Sequence, residues 1–424
     1  MNNMTKQNMK KIELLAPAGS FESLKAAINA GADAVYFGIG NFNMRASAAR
    51  NFQLEDLPEV VKTCHKNNVK AYVALNTVLY NNELERMQEI INKIKSSGAD
   101  ALIAADIAAI KYTREIDLEV HISTQLSISN TESLKHYAQF ADRVVLAREL
   151  SLEQVKSISE DIRKQTIKGP KGELIELEAF AHGALCVAVS GRCAMSLYCY
   201  GRSANRGQCA QVCRREYKIT DIETGKELVV DNNYVMSAAD LCTIGMLPEL
   251  LDAGITILKI EGRGRQAEYV DTVISTYKKA LKAIDKGEYT QANIEKWLKD
   301  LESVYNRGFT QGFYMGRKLD EWSGARGSKA SEEKTLIGVV QKYYPKAQVV
   351  QVKILAKDII KEGEKFAIIG PTTGIVKGKL TGMLVNDKAV KSASQNDIVT
   401  FKLHNKRTNT PARHNDKFYI IRPR

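Results

Sequence analysis

The chain is 424 residues long, 44% hydrophobic and 26% charged, with seven cysteines and a formal net charge of +12. That length suggests two or three domains with ample core, and no run reaches the roughly 18 apolar residues that a membrane-spanning helix needs. The opening MNNMTKQNMKK has no apolar core of the kind a secretory signal carries, so a cytoplasmic, reducing location is expected, where clustered cysteines bind metals or do chemistry more often than they pair.

Along the first 285 residues, short β-rich apolar runs alternate with amphipathic helical stretches, the pattern of βα units on a parallel sheet. The spacing predicts strands at 11–16 (KIELLA), 34–38 (AVYFG), 70–75 (KAYVAL), 101–105 (ALIAA), 118–123 (LEVHIS), 142–146 (DRVVL), 174–180 (LIELEAF) and 255–261 (ITILKIE). Eight such strands make an α/β fold, a closed TIM-like (β/α)8 barrel within 1–285. Between them, 82–97 sets Leu84, Met87, Ile90, Ile91 and Ile94 on one helical face, and 269–284 does the same with Tyr269, Val273, Ile274, Tyr277, Leu281 and Ile284. One long interruption, 181–254, separates strands seven and eight.

That insertion holds Cys186, Cys193, Cys209 and Cys213, with six, fifteen and three residues between them. The segment is polar and basic, so chelation of a metal or an iron–sulfur cluster explains the crowding better than packing does. Structural zinc sites usually space paired ligands two to four residues apart. Only Cys209 and Cys213 obey that, and the wider first gap favours a larger cubane. Cys199 lies inside the fifteen-residue loop, Cys64 on a predicted helix, and Cys242 beyond the cluster.

Active sites of this fold are built at the C-terminal ends of the strands, which puts an insertion after strand seven beside the barrel mouth. Polar residues are expected to converge there: Arg45 after strand two, Asn76 after three, Asp106 after four, His121 in strand five with Ser123, Thr124 and Gln125 after it, Arg148 and Glu149 after six, and Glu261 and Arg263 after eight. Any one of them is equally a cap or a packing residue. Together they make a partly cationic cup suited to an anionic small molecule.

Residues 286–330 read as a helical extension ending in VYNRGFTQGFYMGR (304–317), with SGARGSKASEE (323–333) as linker. Residues 331–424 show short alternating runs, LIGVVQKYY and DIVTFKL, with turns at GPTTG and VNDK, as a small β-barrel does. This last segment holds 18 Lys and Arg against 8 Asp and Glu, a surplus of 10. Such a surplus is the footprint of a polyanion partner, most commonly nucleic acid, or of a solubilising surface.

The stretch EAFAHGALCVAVSGRCAMS (178–196) places Glu178, Phe180, Gly183, Cys186, Gly191, Cys193 and Ser196 as in the signature of the peptidase U32 family, which the chain resembles. ELLAPAG (13–19), GADAVYFG (31–38), HISTQ (121–125), RVVLAREL (143–150), RSANRGQCAQVCR (202–214) and KIEGR (259–263) extend the resemblance over about residues 11–320. Some members were described as collagenase-like proteases, yet the chain has neither HExxH nor GxSxG, and its cysteines are too clustered to be one nucleophile with a distant histidine. In architecture it is most similar to prephenate-dependent tRNA uridine hydroxylases, which form 5-hydroxyuridine at the wobble position without molecular oxygen. Other members act on a cytidine of 23S rRNA.

This resemblance implies a [4Fe–4S] cluster on Cys186, Cys193, Cys209 and Cys213, with Cys242 the alternative fourth ligand, since quinone-pathway relatives use a cysteine near that position. It implies prephenate, or a similar anionic donor, held by Arg45, Arg148 and Arg263 together with Asn76, His121, Gln125 and Glu261. His182 is the implied acid/base, a structural histidine being the alternative, and Glu178 the residue that orients a neighbour in the catalytic centre. RNA is expected over Arg192, Arg202, Arg206, Arg214, Arg215 and Lys218, with 331–424 gripping phosphates. A paralogous partner chain is a further implication, since relatives often occur as two chains.

Overall fold

The computed structural model describes residues 12–47, 51–189, 192–228, 236–316, 322–324, 327–403 and 412–424. Lys11 of the first expected strand, Gly191 of the signature and linker positions 325–326 lie outside them. β1 (Glu13–Pro17) pairs with β2 (Ala34–Gly38), and the parallel ladder runs on through β3 (Lys70–Leu75), β4 (Ala101–Ala104), β5 (Val120–Ile122), β6 (Arg143–Val145) and β7 (Glu176–Ala184). The eighth barrel strand, β8 (Ile257–Ile260), pairs in parallel with both β7 and β1 and closes the ring. All eight expected strands are present. Runs such as AVYFG are buried at every position, because one face looks into the barrel and the other is covered by helices.

Helices α1 (Phe21–Ala30), α2 (Leu57–His65), α3 (Leu84–Ser96), α4 (Ile107–Glu115), α5 (Thr131–Ala138) and α6 (Leu152–Lys164) follow β1 to β6 in turn. α3 buries Met87, Ile90, Ile91 and Ile94, each such side chain contributing roughly 1.5–3 kcal/mol. Ser151 and Gln154 close a capping box that starts α6, satisfying donors the first turn leaves unpaired. Asp106 caps α4 through Ala108 N at 2.9 Å and also accepts from Leu79 N at 3.2 Å, so it builds the scaffold rather than the cup.

The insertion differs from expectation at both ends. β7 runs on to Ala184, because beyond His182 it gains an antiparallel partner, the short strand Asp240–Cys242. Gly183 sits at that fork with φ +105°, and a Cβ there would lie 2.4 Å from the Glu261 carbonyl oxygen, so only glycine fits. At its far end the insertion gives way to α8 (Leu247–Asp252), an ordinary barrel helix, while the cysteine segment carries the short α7 (Met195–Tyr200). After α9 (Ala267–Lys286) and α10 (Gln291–Glu302), the extension returns to the mouth: Phe309–Thr310 pairs with Asp240–Leu241, and Tyr314 OH donates to the Phe180 carbonyl at 2.8 Å.

The C-terminal segment is an eight-stranded antiparallel sheet, in the spatial order 374–379, 365–370, 417–423, 332–344, 349–354, 398–402, 384–385 and 388–389, surrounding its own apolar core. It docks on the barrel through Ala367, Ile369 and Ile375 against Ala26 and Ala267. Flanking ion pairs join Lys334 to Glu268 at 2.7 Å and Lys377 to Asp271 at 2.9 Å.

Charged side chains fill the lower half of the barrel. Arg143, 3% exposed, reaches Glu13 at 2.7 Å, Glu176 at 2.9 Å and Glu178 at 3.7 Å, and Glu178 in turn holds Lys259 at 2.6 Å. Removing one member of a buried ion cluster strands the others without solvent. Arg143→Ala is therefore expected to cost about 3–5 kcal/mol, with Arg143→Lys recovering part of it because it restores charge without the planar fork. Urea unfolding of the three proteins measures this, and equal midpoints would show the cluster to be energetically idle.

Candidate functional site

Above that charged layer, the C-terminal ends of the strands and the cysteine insertion enclose one cavity of about 110 Å³. Arg45, in the loop after β2, directs Nε and Nη2 to Glu261 Oε1 at 3.0 and 2.7 Å. Glu261 Oε2 accepts from Tyr36 OH at 3.2 Å. Arg263 Nη1 donates to Asn43 Oδ1 at 2.9 Å, and Gly38 leaves room for that bond, since a Cβ there would meet both groups at 2.5 Å. The Arg148 guanidinium carbon lies over the Phe180 ring, 3.9 Å from its centroid, and Nη1 donates to the Ala184 carbonyl at 3.1 Å. Its buried Nε finds no hydrogen-bond partner among the described residues.

The electrostatic balance of this cup is set by one carboxylate. Burial works against ionising Glu261, yet Arg45, Arg148 and Arg263 together hold its pKa down to about 2. Arg45 is thereby matched. Arg148 and Arg263 make no ion pair among the described residues, so the cavity keeps a cationic surplus. Asn76 and Gln125 stand where the sequence puts them: Asn76 accepts from Met44 N at 3.2 Å and donates to Ser123 Oγ at 3.1 Å, and Gln125 lines the wall.

Sequence reasoning passed over Lys259. It forms the floor, its Nζ 2.6 Å from Glu178 Oε1 and 4.5 Å from the Tyr36 ring centroid, with burial pulling its pKa down against the pull of Glu178. A lysine in the middle of an apolar strand was the available signal, because such a charge needs a buried partner.

Three expected residues are elsewhere. His182 lies outside the barrel wall, packed among Tyr269, Tyr277 and Phe309, with Nδ1 3.4 Å from Tyr277 OH and burial holding its pKa near 3. The cause is a register shift: Lys259 faces Phe180 but Ile260 faces His182, so one extra residue turns His182 away from the interior. His121 points inward but too deep, bonded to Glu119 at 3.0 Å and edge-on to Tyr72. Glu178 belongs to the charged layer, between Arg143 and Lys259, and reaches the cavity only through Lys259.

Cys186, Cys193, Cys209 and Cys213, all from the insertion, line the cavity together with the residues of the strand ends. Burial raises the Cys213 thiol, the Arg214 guanidinium eases it, and the thiols of Cys186, Cys209 and Cys193 raise it further, so the four are near enough to sense one another. Among the described residues no three His, Cys, Asp or Glu side chains are grouped as a single metal ion requires. Cys242 is apart from these four, buried beside Tyr277, and burial pushes its thiol up to about 12. Cys64 is buried in α2 and Cys199 is exposed.

The expected RNA-facing residues divide. Arg192, Arg202 and Arg215 are exposed. Arg206 is occupied by Glu83 and the Val78 carbonyl, and Lys218 by Glu227. Arg214 is a staple, its guanidinium bonded to the carbonyls of Ala238 and Leu185 and to Ser237 Oγ, so it braces the insertion instead of meeting a partner.

Residues 19–324 match the model of peptidase family U32. The chain is 44% identical to a collagenase of Porphyromonas gingivalis over 97% of this chain and 98% of that one. It is 32% identical to tRNA hydroxylation protein P1 of Bacillus subtilis, covering 85% and 84%. A 23S rRNA 5-hydroxycytidine synthase of Escherichia coli is 36% identical over 73% of this chain and 46% of its own length.

The depressed pKa of Glu261 has a pH signature. A carboxylate whose folded pKa lies below its unfolded value stabilises the fold fully above the unfolded value and loses that contribution as pH falls toward the folded one. Glu261→Gln is expected to lower the melting temperature near neutrality and to flatten the acid side of the profile between 4.5, the unperturbed value, and about 2. Melting curves across that range decide it; parallel profiles would mean that the three arginines do not act on this carboxylate.

Proposed function

This chain belongs to peptidase family U32, and from that membership and the geometry of its cavity we propose that it is an oxygen-independent RNA hydroxylase. The observation that carries the reading is one cavity lined both by four cysteines and by Arg148 and Arg263, which make no ion pair among the described residues. Relatives named for hydroxylation of tRNA and of 23S rRNA support it.

A [4Fe–4S] cluster fits the donor set, because it takes four thiolates spread around its corners. Cys186, Cys193, Cys209 and Cys213 are the ligands we assign, and Cys242 is left out because its thiol is buried beside Tyr277 and does not line the cavity. Such a cluster, when bound, supplies one-electron chemistry beside the cup. Arg148 and Arg263 then hold the carboxylates of a small anionic donor by charge-assisted bonds, for which prephenate, with two carboxylates, is the proposed identity. Arg45 is kept in place by Glu261, Tyr36 fixes that carboxylate, and Lys259 offers a third cation from below. The base enters from the insertion side, and the basic C-terminal sheet adds phosphate contacts.

Peptide hydrolysis is the second reading, favoured by the relative named collagenase. A cysteine peptidase needs a base within hydrogen-bond reach of its thiol, and no histidine lines the cavity among the described residues. Mass spectrometry of nucleosides from a deletion strain separates the readings. Loss of 5-hydroxyuridine derivatives from tRNA is the expected result, loss of 5-hydroxycytidine from rRNA moves the substrate to the ribosome, and unchanged profiles of both overturn the reading.

Anaerobically purified protein is expected to be brown. Alanine at Cys186, Cys193, Cys209 or Cys213 is expected to remove colour and iron, whereas Cys242→Ser keeps both. Iron and sulfide analysis of the five variants checks this, and iron loss at Cys242 with retention at Cys213 would reverse the ligand assignment.

A further inference from the structure

Apolar side chains of the insertion face solvent beside the cavity mouth. Tyr198 is 91% exposed, Val189 62%, Leu197 52% and Tyr200 45%. Both tyrosines lie on α7, which also gives Met195 and Ser196 to the cavity wall, so one short helix borders the cavity and carries the exposed surface. Tyr80, in the loop after β3, is 56% exposed.

These pieces are held together in advance. Val78 N donates to the Asn205 carbonyl at 3.2 Å, and Arg206 bridges back to the Val78 carbonyl at 3.0 Å and to Glu83. Two of the tyrosines already carry a guanidinium on their rings: Arg206 is 4.2 Å from the Tyr80 centroid and Arg215 is 4.9 Å from that of Tyr200. Arg192 and Arg202 stand exposed on the same insertion.

Several large apolar side chains exposed beside one cavity mark an interaction site. Their interleaving with arginine selects a partner that has flat apolar faces and regular negative charge. Unpaired RNA has both. We propose that this rim is a stacking platform for the unpaired nucleotides flanking the base that enters the cavity, with Tyr198 as its principal face and Arg192 and Arg202 on the phosphates. The proposal rests on the RNA-hydroxylase reading and adds how substrate is chosen: by a single-stranded loop, with tolerance of flanking sequence, since every base presents a π face. Drawing a base out of its stack costs stacking energy, and an aromatic surface at the entrance returns part of it.

The test is equilibrium binding of the full chain to an RNA hairpin with a uridine-containing loop, and to the same stem as a plain duplex. Tyr198→Ala is expected to weaken hairpin binding roughly ten- to hundredfold without changing the slope of log affinity against log salt. Tyr198→Phe is expected to bind as the wild type does, and Arg202→Ala to flatten the slope by about 0.7. A side chain so exposed is dispensable for folding, which an unchanged melting temperature verifies. If Tyr198→Ala binds the hairpin as the wild type does, or if the wild type binds duplex and hairpin alike, the platform is overturned while the RNA reading stands. If the wild type ignores the hairpin but binds a gelatin peptide through Tyr198, the RNA reading itself falls and the rim serves peptide.

Discussion

Three guanidinium groups share one cavity with one carboxylate, and that imbalance governs what the rest of the chain provides. Glu261 pairs directly with Arg45, while among the described residues Arg148 and Arg263 are oriented by a carbonyl, an amide oxygen and aromatic rings and reach Glu261 only through space. Neutral partners orient a buried cation without cancelling its charge, so the cavity gains most from an anion that brings its own oxygens. An apolar ligand would leave those donors unpaired. The proposal of an anionic donor rests on this imbalance more than on any one residue.

The scaffold keeps that surplus from collapsing. Beneath the cavity, Arg143 and Lys259 pair with Glu13, Glu176 and Glu178, with Lys70 adding a third cation at Glu13, in a separate charged layer that meets the cavity floor at Lys259. Beside it, the cysteine wall is fixed by Arg214 bonding across to Leu185 and Ala238, and the strand it meets is fixed by Arg307 on Asp240 at 3.1 Å. The extension after α10 thus works as a brace for the insertion, which the sequence pattern alone presents as a helix followed by a glycine-rich run. Among the described residues no helix is long and apolar enough to cross a membrane.

The barrel was legible because parallel strands buried on both faces leave near-continuous apolar runs, and these alternate with amphipathic helical stretches. The cup was largely legible for a topological reason: Arg45, Asn76, Gln125, Arg148, Glu261 and Arg263 follow strand ends, and this fold gathers strand ends on one side. Depth and direction within a strand were less so. His121 has the right facing but sits a layer too low, and simple alternation from Glu178 and Phe180 would turn His182 inward were it not for the extra residue at the β7–β8 register shift. That shift depends on the neighbouring strand, which no local pattern in β7 records. Lys259 and Glu178 are mutual explanations for two charges placed in apolar strands, yet a sequence cannot say which pairs with which. The exposed tyrosines of α7 were not legible, because exposure belongs to the folded surface and a short aromatic run does not record it.

The central claim is that the cysteine wall and the cationic cup are one chamber, with a cluster on one side and an anionic donor on the other. Electron paramagnetic resonance of the reduced protein tests it directly, with and without prephenate, in the wild type and in Arg148→Ala. Prephenate is expected to shift the cluster signal of the wild type and to leave that of Arg148→Ala unchanged at the same concentration. A wild-type signal that does not move while calorimetry shows prephenate bound would contradict the claim, because the donor would then occupy a site away from the four cysteines.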